Sequence, residues 1–247
     1  MVLSLIAAAL GLLLGGVCCT ILNRIPSKWL CDYDEEPSEE LKTNDRFSFI
    51  NGAIMGVALA VIFSGELIIN GITAEAFIAC TIFLVLVMIS SADAKYMIIP
   101  DQFTIAVAVL ASVFAGADLL TSRSFISAWY SPLVGAAAGS SALILLDIFS
   151  MVVLKAEGFG FGDIKLVFVL GLMLGWKKIL LMIVLSSFIA VIHFLALTFT
   201  KNKGKRQMLM PMGPYLCIST SAIIIFHTQI ESFISIYKDL LGSSVLP

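Results

Sequence analysis

Residues 1–16 read MVLSLIAAALGLLLGG, a run without a single charged side chain. The run has no basic residue ahead of its apolar core, and it is longer than the roughly 7 to 15 apolar residues of a secretory signal. We therefore interpret it as a retained membrane helix. The rest of the chain has the same character, since 60% of its 247 residues are hydrophobic and only 13% are charged. This composition lies outside that of soluble domains and predicts an integral membrane protein.

Apolar runs that match the length of a membrane-crossing helix, roughly 18 to 25 residues, recur along the chain. We expect an all-α fold, a polytopic transmembrane bundle of about eight helices. The sixth segment is short, and Gly175–Lys178 marks its boundary with the seventh. The segments lie near residues 2–23, 47–64, 74–92, 103–120, 131–153, 164–176, 178–200 and 212–230.

The basic residues predict the orientation of this bundle. With the amino terminus outside, eleven of the fifteen lysines and arginines fall on the cytoplasmic side, as the positive-inside rule requires. The cytoplasmic set is Arg24, Lys28, Lys42, Arg46, Lys95, Lys155, Lys165, Lys201, Lys203, Lys205 and Arg206. The outer set is Arg123, Lys177, Lys178 and Lys238.

Charge, cysteine and glycine patterns narrow the possible functions. A net charge of −2 does not indicate a nucleic-acid partner. None of the five cysteines stands in a C-x-x-C pair, so neither a zinc site nor a disulfide framework is indicated. Four G-x-x-x-G spacings within the predicted spans predict ordinary close helix packing. They are Gly11/Gly15, Gly52/Gly56, Gly135/Gly139 and Gly171/Gly175.

Two aspartates stand at the ends of predicted helices on the same side of the membrane. Asp93, within SSADAKYMIIPDQFT (90–104), closes the third helix, and Asp163, within EGFGFGDIKL (157–166), begins the sixth. A lysine follows each two residues later, Lys95 and Lys165. Two carboxylates that approach each other cannot both ionise easily, so one stays protonated while the other can activate water. The pair therefore fits acid-base hydrolysis.

Each acid also has a structural interpretation. Asp163 sits where a carboxylate commonly caps a helix, and Asp101, directly after Pro100, sits at an expected N-cap. Asp93 lies at a helix end whose dipole disfavours an anion, so capping explains it less well. Gly160 and Gly162 would let the backbone adopt positive φ and let a substrate strand approach Asp163.

The motifs together resemble a known family. Residues 160–166, GFGDIKL, look like the GxGD signature of intramembrane aspartyl proteases in the form seen in prepilin peptidases, also called type IV leader peptidases. Asp93 with the following Ile99-Pro100-Asp101 resembles the family's other catalytic site. Residues 210–216, MPMGPYL, resemble its P-x-G-P segment, and residues 22–26, LNRIP, resemble the stretch that leads into its first cytoplasmic loop. The resemblance spans nearly the whole chain in the family's order.

The resemblance implies an aspartic-type endopeptidase in the plasma membrane, with its active site facing the cytoplasm. It would cleave leader peptides of type IV prepilins or type II secretion pseudopilins, with water as the nucleophile and with no metal or other cofactor. Besides these peptides, the lipid bilayer would be its partner. The catalytic pair would be Asp93 and Asp163. The motif residues around them would be Gly160, Gly162, Lys95, Lys165, Pro100 and Asp101.

The first cytoplasmic loop departs from the family pattern. Many bacterial members carry two zinc-binding C-x-x-C pairs there and also methylate the new amino terminus, whereas this loop holds only Cys31. We therefore expect peptidase activity and doubt N-methyltransferase activity. The loop contains six acids within nine residues, which form either a solvated linker or a surface that steers basic leaders to the site. They are Asp32, Asp34, Glu35, Glu36, Glu39 and Glu40.

This pattern divides the chain into three parts. Residues 1–64 would form a reduced, zinc-less N-terminal module of two helices and the cytoplasmic loop. Residues 65–230 would form the aspartyl peptidase membrane core, and residues 231–247 the C-terminal tail.

Two other functions share parts of the pattern. A presenilin or signal-peptide-peptidase type also has GxGD but pairs it with Tyr-Asp and Pro-Ala-Leu motifs, whereas Ala92 precedes Asp93 here and Pro211-Met212-Gly213 stands late in the chain. A proton-coupled transporter could use Asp93, Asp147 and Asp163 as a relay.

Two further polar residues stand inside predicted spans. Asp147 could contact the active-site water or a polar neighbour within the bundle, and the sequence leaves both open. His193 is better explained as a hydrogen-bonded residue than as a metal ligand, because no second histidine or cysteine stands at metal-binding spacing.

Overall fold

The computed structural model describes residues 2–31, 36, 46–121, 125–126, 128–153, 155, 158–200, 210–233 and 235–236. These residues form α-helices joined by short connections, and no strand occurs among them. The helices are α1 (Val2–Arg24), α2 (Phe49–Ile69), α3 (Ala74–Tyr96), α4 (Asp101–Thr121), α5 (Ser131–Val153), α6 (Phe161–Thr200) and α7 (Gly213–Ile225), with a 3-10 turn at Ser27–Leu30. The predicted all-α polytopic bundle is confirmed.

Most of these helices are long and apolar enough to cross a bilayer. Six qualify singly among the described residues, and a seventh span results if α7 is counted together with His227–Phe233, which follows it after a bend of 74°. Large apolar side chains such as Leu13 and Val61 are mostly exposed on the outer surface, as expected where lipid replaces water. The chain is therefore a multi-pass membrane protein.

The glycine spacings pack helices closely, as predicted. α1 and α2 run antiparallel, and a methyl group added to Gly15 would meet Gly56 Cα at 2.2 Å. A methyl group on Gly135 in α5 would likewise meet the Gly171 carbonyl oxygen in α6 at 2.5 Å. The absence of a Cβ at these positions lets the backbones approach each other closely.

α6 is folded in two at Gly175. The backbone there has φ 70° and ψ 173°, a left-handed conformation that glycine adopts without strain. A methyl group on Gly139 would meet Val167 at 2.9 Å and Ile179 at 2.6 Å. Twelve residues of straight helix would separate those side chains by about 18 Å. The first arm of α6 (residues 161–174) and its second arm (residues 176–200) therefore lie side by side, as the sixth and seventh segments of the sequence predict.

The bundle has two distinct polar ends. One end, called here the site end, holds the carboxyl end of α3 and the amino ends of α4, α6 and α7. At the other end, buried Lys178 forms a 2.9 Å ion pair with Glu231 and donates to the Phe125 carbonyl. The division at residues 64 and 230 stays a prediction, and residues 237–247 of the tail lie outside the described residues.

Candidate active site

A cavity of about 510 Å³ opens at the site end and brings the predicted catalytic residues together. Asp93 and Asp163 are both almost fully buried, at 5% and 8% exposure, and Asp93 lies close enough for its charge to act on Asp163. The wall is made of Lys28, Trp29, Cys31, Asp93, residues 97–102, residues 160–163 and Lys165. The two sequence motifs, seventy residues apart, therefore line one site.

Asp93 lies one turn before the end of α3. Its carbonyl accepts a 2.8 Å bond from Met97, which ends the helix in a left-handed conformation (φ 56°). The side chain extends toward α7, where Oδ2 accepts a 2.8 Å bond from the Gly213 backbone N–H. The positive end of the α7 dipole thus faces a carboxylate that its own helix dipole disfavours.

Asp163 lies in the first turn of α6. Its Oδ2 accepts a 3.2 Å bond from the backbone N–H of Gly160, the residue before the helix. Oδ1 is buried and has no hydrogen-bond partner among the described residues. An unpaired buried oxygen costs free energy, so it calls for an explanation such as a catalytic role or a bound water. One oxygen therefore caps the helix, as the structural interpretation expects, and the other remains available to a ligand.

The glycines of the GxGD motif do not have the backbone conformation that the sequence predicted, and the approach of a substrate strand stays a prediction. Neither Gly160 nor Gly162 has positive φ, so that expectation is wrong. Gly162 instead allows close packing, because an added methyl group would meet Ile99 Cβ at 3.2 Å. The motif glycine at position 162 thus brings the start of α6 against the loop that follows Asp93.

The two motif lysines have different surroundings. Lys165 lies in the cavity wall and bonds both carboxylate oxygens of Asp101, at 2.9 and 3.1 Å. Pro100 caps α4 through its carbonyl, which accepts from the amides of residues 103 and 104. Lys95 is outside the cavity wall, donates to the Arg46 carbonyl and lies 5.1 Å from the centroid of the Phe47 ring. The sequence predicted Asp101 as the N-cap of this helix, whereas the structure makes it the first helical residue and pairs its side chain with Lys165.

Asp147 and His193 bind polar neighbours. Asp147 Oδ1 accepts from the amides of Gly158 and Phe159, at 2.8 and 3.1 Å, directly before the GxGD motif. His193 Nδ1 lies 2.6 Å from the Tyr215 hydroxyl, so the hydrogen-bonded interpretation is confirmed. Asp147 thus supports the loop that carries Gly160 and is not part of the cavity wall.

Sequence reasoning missed two parts of the site. Gly213 binds Asp93, a contact that the sequence did not predict, although the Pro-x-Gly-Pro pattern was correctly expected at the start of the last helix. Trp29 lines the cavity within the 3-10 turn, and nothing in its local pattern indicated this. Arg46 holds the preceding segment through bonds to the Ile25 carbonyl at 2.7 Å and to Ser27 at 3.1 Å.

The acidic run of the first loop falls largely outside the described residues. Glu36 is described and exposed, whereas Asp32, Asp34, Glu35, Glu39 and Glu40 are not described. Within the described ranges, no group of three or more His, Cys, Asp or Glu side chains is placed to hold a metal ion.

Comparisons with known proteins identify the family of the chain. A model of the type IV leader peptidase family matches residues 80–195, which include both aspartates. A prepilin leader peptidase/N-methyltransferase of Bacillus subtilis is 30% identical over 76% of this chain and 71% of its own length. The chain belongs to the type IV leader peptidase family. This membership supports a peptidase and favours that interpretation over the presenilin type and the transporter.

Other members of the family match over a smaller share of their length. Proteins with the same name from Aeromonas salmonicida and Legionella pneumophila are 31% and 28% identical, over 55% and 60% of this chain. The chain spans only 44% and 50% of those two relatives. No solved structure matches the chain.

Proposed function

We propose that this protein is an aspartic-type endopeptidase that removes the leader peptides of type IV prepilins or type II secretion pseudopilins. The observation that carries the proposal is one cavity lined by two buried carboxylates, one of which has an oxygen without a hydrogen-bond partner among the described residues. The relatives that bear the name prepilin leader peptidase support the choice of substrate.

The reaction would use a water molecule bound between Asp93 and Asp163. One ionised carboxylate takes a proton from this water while the other, protonated, donates to the carbonyl oxygen of the scissile bond. The water oxygen then bonds to the carbonyl carbon, and the C–N bond breaks as a proton passes to the leaving amine. The pair shares one proton, so the two roles belong to the pair and not to one fixed residue.

The position of the cavity supports cleavage at the cytoplasmic membrane face of the plasma membrane. The cavity lies at the ends of membrane-crossing helices and not at their centre. The positive-inside count assigns this end to the cytoplasm. A basic leader could therefore stay in water while the scissile bond reaches the carboxylates.

We propose that the activity ends with cleavage. The relatives' names also include N-methyltransferase, but the first loop of this chain has Cys31 as its only cysteine. The loop thus lacks the two C-x-x-C pairs associated with the methylating members. Analysis of the product's amino terminus detects both activities. Its sequence shows the cleavage site, and the mass of its first residue shows whether it is methylated.

The test is co-expression with candidate prepilins, followed by amino-terminal sequencing of the product. Asp93→Asn and Asp163→Asn are expected to abolish cleavage while leaving membrane insertion intact, because the amide keeps the volume but removes the proton chemistry. Asp101→Asn is the matched control, since it makes the same change in the wall of the same cavity and should keep measurable activity. Near wild-type cleavage by either of the first two variants would overturn the catalytic pair.

A further inference from the structure

A second cavity, also of about 510 Å³, adjoins the active site on its membrane side. It lies between α4, α5 and the first arm of α6, and Ile105, Ile144 and Phe168 form part of its wall. The same three side chains are 62%, 41% and 46% exposed, so this groove opens sideways toward the lipid. Its position admits a molecule that enters from the bilayer.

The wall of the groove is suited to an apolar occupant. Its two hydroxyl groups bond nearby backbone carbonyls, with Ser140 donating to Ala136 of the same helix at 2.8 Å and Thr104 to Pro100, the cap of α4, at 3.3 Å. These bonds leave the hydroxyls little need of a polar ligand. The charged residues of the wall, Asp101 and Lys165, are paired with each other at its rim.

The groove is continuous with the catalytic cavity. Asp101 and Lys165 belong to both walls, so their ion pair stands at the boundary between the two spaces. From there the groove runs inward along α6 to Val169, six residues past Asp163, which corresponds to about 9 Å of helix. A chain lying in the groove would pass its next residues over the ion pair toward the two carboxylates.

We propose that this groove is the docking surface for an apolar segment of the substrate, which adjoins the scissile bond and lies in the membrane. The proposal rests on the proposed function and adds where the substrate binds. A basic leader is excluded from an apolar groove by the cost of a charge in the membrane, so the leader stays on the aqueous side. The residues beyond the scissile bond then occupy the groove. Continuity with the carboxylates favours a peptide over a lipid acyl chain, which has nothing to deliver to them.

Two adjacent serines of α5 provide a matched test. Ser140 lies in the groove wall, whereas Ser141 is exposed on the same helix and outside that wall. Both hydroxyls bond carbonyls of the same helix, so either change to leucine removes a similar bond. Ser140→Leu narrows the groove and should raise KM for a full-length prepilin about tenfold, with kcat nearly unchanged. Ser141→Leu should leave both parameters unchanged.

The substrate's apolar segment is the second variable of this test. A short peptide that contains the leader and the scissile bond but lacks that segment should show the same KM with Ser140→Leu as with the wild type. An unchanged KM for the full-length prepilin would overturn the groove proposal while wild-type cleavage continued. Absence of cleavage by the wild type would instead overturn the proposed function.

Crosslinking tests whether the prepilin occupies the groove, and it does not require catalysis. A photoreactive residue at position 140, in the Asp163→Asn background, should crosslink the prepilin, and the same residue at position 141 should not. A crosslink at position 140 to lipid alone, or equal prepilin crosslinks at both positions, would overturn the proposal. Full insertion of each variant in the membrane is checked by its protease protection.

Discussion

Asp93 and Asp163 share a local sequence form, Asp-x-Lys, and yet the structure supports them in opposite ways. Asp163 begins its own helix and binds an amide three residues away. Asp93 ends its helix and binds an amide 120 residues away, at the start of α7. The Asp163 arrangement is local, whereas the Asp93 arrangement depends on the packing of a distant helix.

The lysines extend this difference. Lys165 lies at the cavity and ties α6 to α4 through Asp101, whereas Lys95 points away and holds the segment before α2. The shared Asp-x-Lys motif thus places two carboxylates in one cavity, but the lysines that follow them have different roles. It follows that equivalent substitutions in the two motifs should have unequal effects.

Among the substitutions next to the two carboxylates, the largest expected effect comes from Gly213. A methyl group there would lie 2.7 Å from Asp93 Oδ2, so Gly213→Ala must displace the carboxylate. Since misplacement by about 1 Å can cost about a hundredfold in rate, we expect kcat to fall by about that factor. The corresponding methyl group on Gly160 would lie 3.5 Å from Asp163 Oδ2, an ordinary contact, so Gly160→Ala should stay near wild type.

Initial rates of prepilin cleavage by the two variants, at equal membrane levels, check this comparison. Similar rates for Gly213→Ala and the wild type would show that the contact between α7 and Asp93 does not matter for catalysis. A strong loss in Gly160→Ala would show that substrate passes directly over Gly160.

The second prediction separates the two lysines. Lys165→Met removes the ion pair at the cavity and should lower kcat/KM about tenfold, the equivalent of about 1.4 kcal/mol. Asp101→Asn should show a similar loss, because the same contact is weakened. Lys95→Met should keep kcat/KM and lower the thermal stability instead, since it holds Arg46 and Phe47. A much larger loss with Lys165→Met than with Asp101→Asn would mean that Lys165 itself contacts the substrate.

The third prediction concerns Asp147, which supports only the Asp163 side of the site. Asp147→Ala leaves the amides of Gly158 and Phe159 without their acceptor and should lower kcat several-fold by loosening the loop. Asp147→Asn keeps one carbonyl oxygen for both amides and should restore most of the activity. A proton relay through Asp147 would make the Asn variant as slow as the Ala variant, and the pH profiles of both report this directly.

The membrane-crossing segments could be predicted because apolar length alone determines them. The reversal of the chain at Gly175 could also be predicted, because a glycine and two lysines interrupt the apolar run there. The location of the candidate site at one end of the bundle followed from counting spans between Asp93 and Asp163. These inferences depend on local composition and on the thickness of a bilayer.

Contacts between distant segments could not be predicted in the same way. The bond from Gly213 to Asp93 depends on how deeply α7 is set against α3, which no local pattern encodes. The position of Trp29 in the cavity wall depends on the hydrogen bonds that Arg46 donates to the Ile25–Ser27 segment. The expected positive φ at Gly160 and Gly162 was wrong because close packing against Ile99, and not backbone conformation, explains the glycine at position 162.

The smallest predicted effect concerns the acidic run of the first loop. Its removal tests whether this loop helps to capture the substrate. Cys31 lies in the cavity wall, and the acidic run follows it directly in the sequence, with Glu36 exposed. Charges placed there would raise the local concentration of a basic leader before it meets the carboxylates. Such steering is screened beyond a Debye length of about 8 Å at physiological ionic strength, so it acts on capture and not on the chemical step.

Replacement of the six acids by Asn or Gln should therefore raise KM for a basic leader a few-fold and leave kcat nearly unchanged. The variant should also lose most of the salt dependence of kcat/KM, because the screened attraction is gone. The control is a leader with its lysines and arginines replaced by glutamine, for which the variant and the wild type should behave alike. If the basic leader shows the same KM and salt dependence with both enzymes, the loop is a solvated linker. Recognition of the leader then lies with the described wall of the cavity, where Lys28 would repel rather than attract a basic peptide.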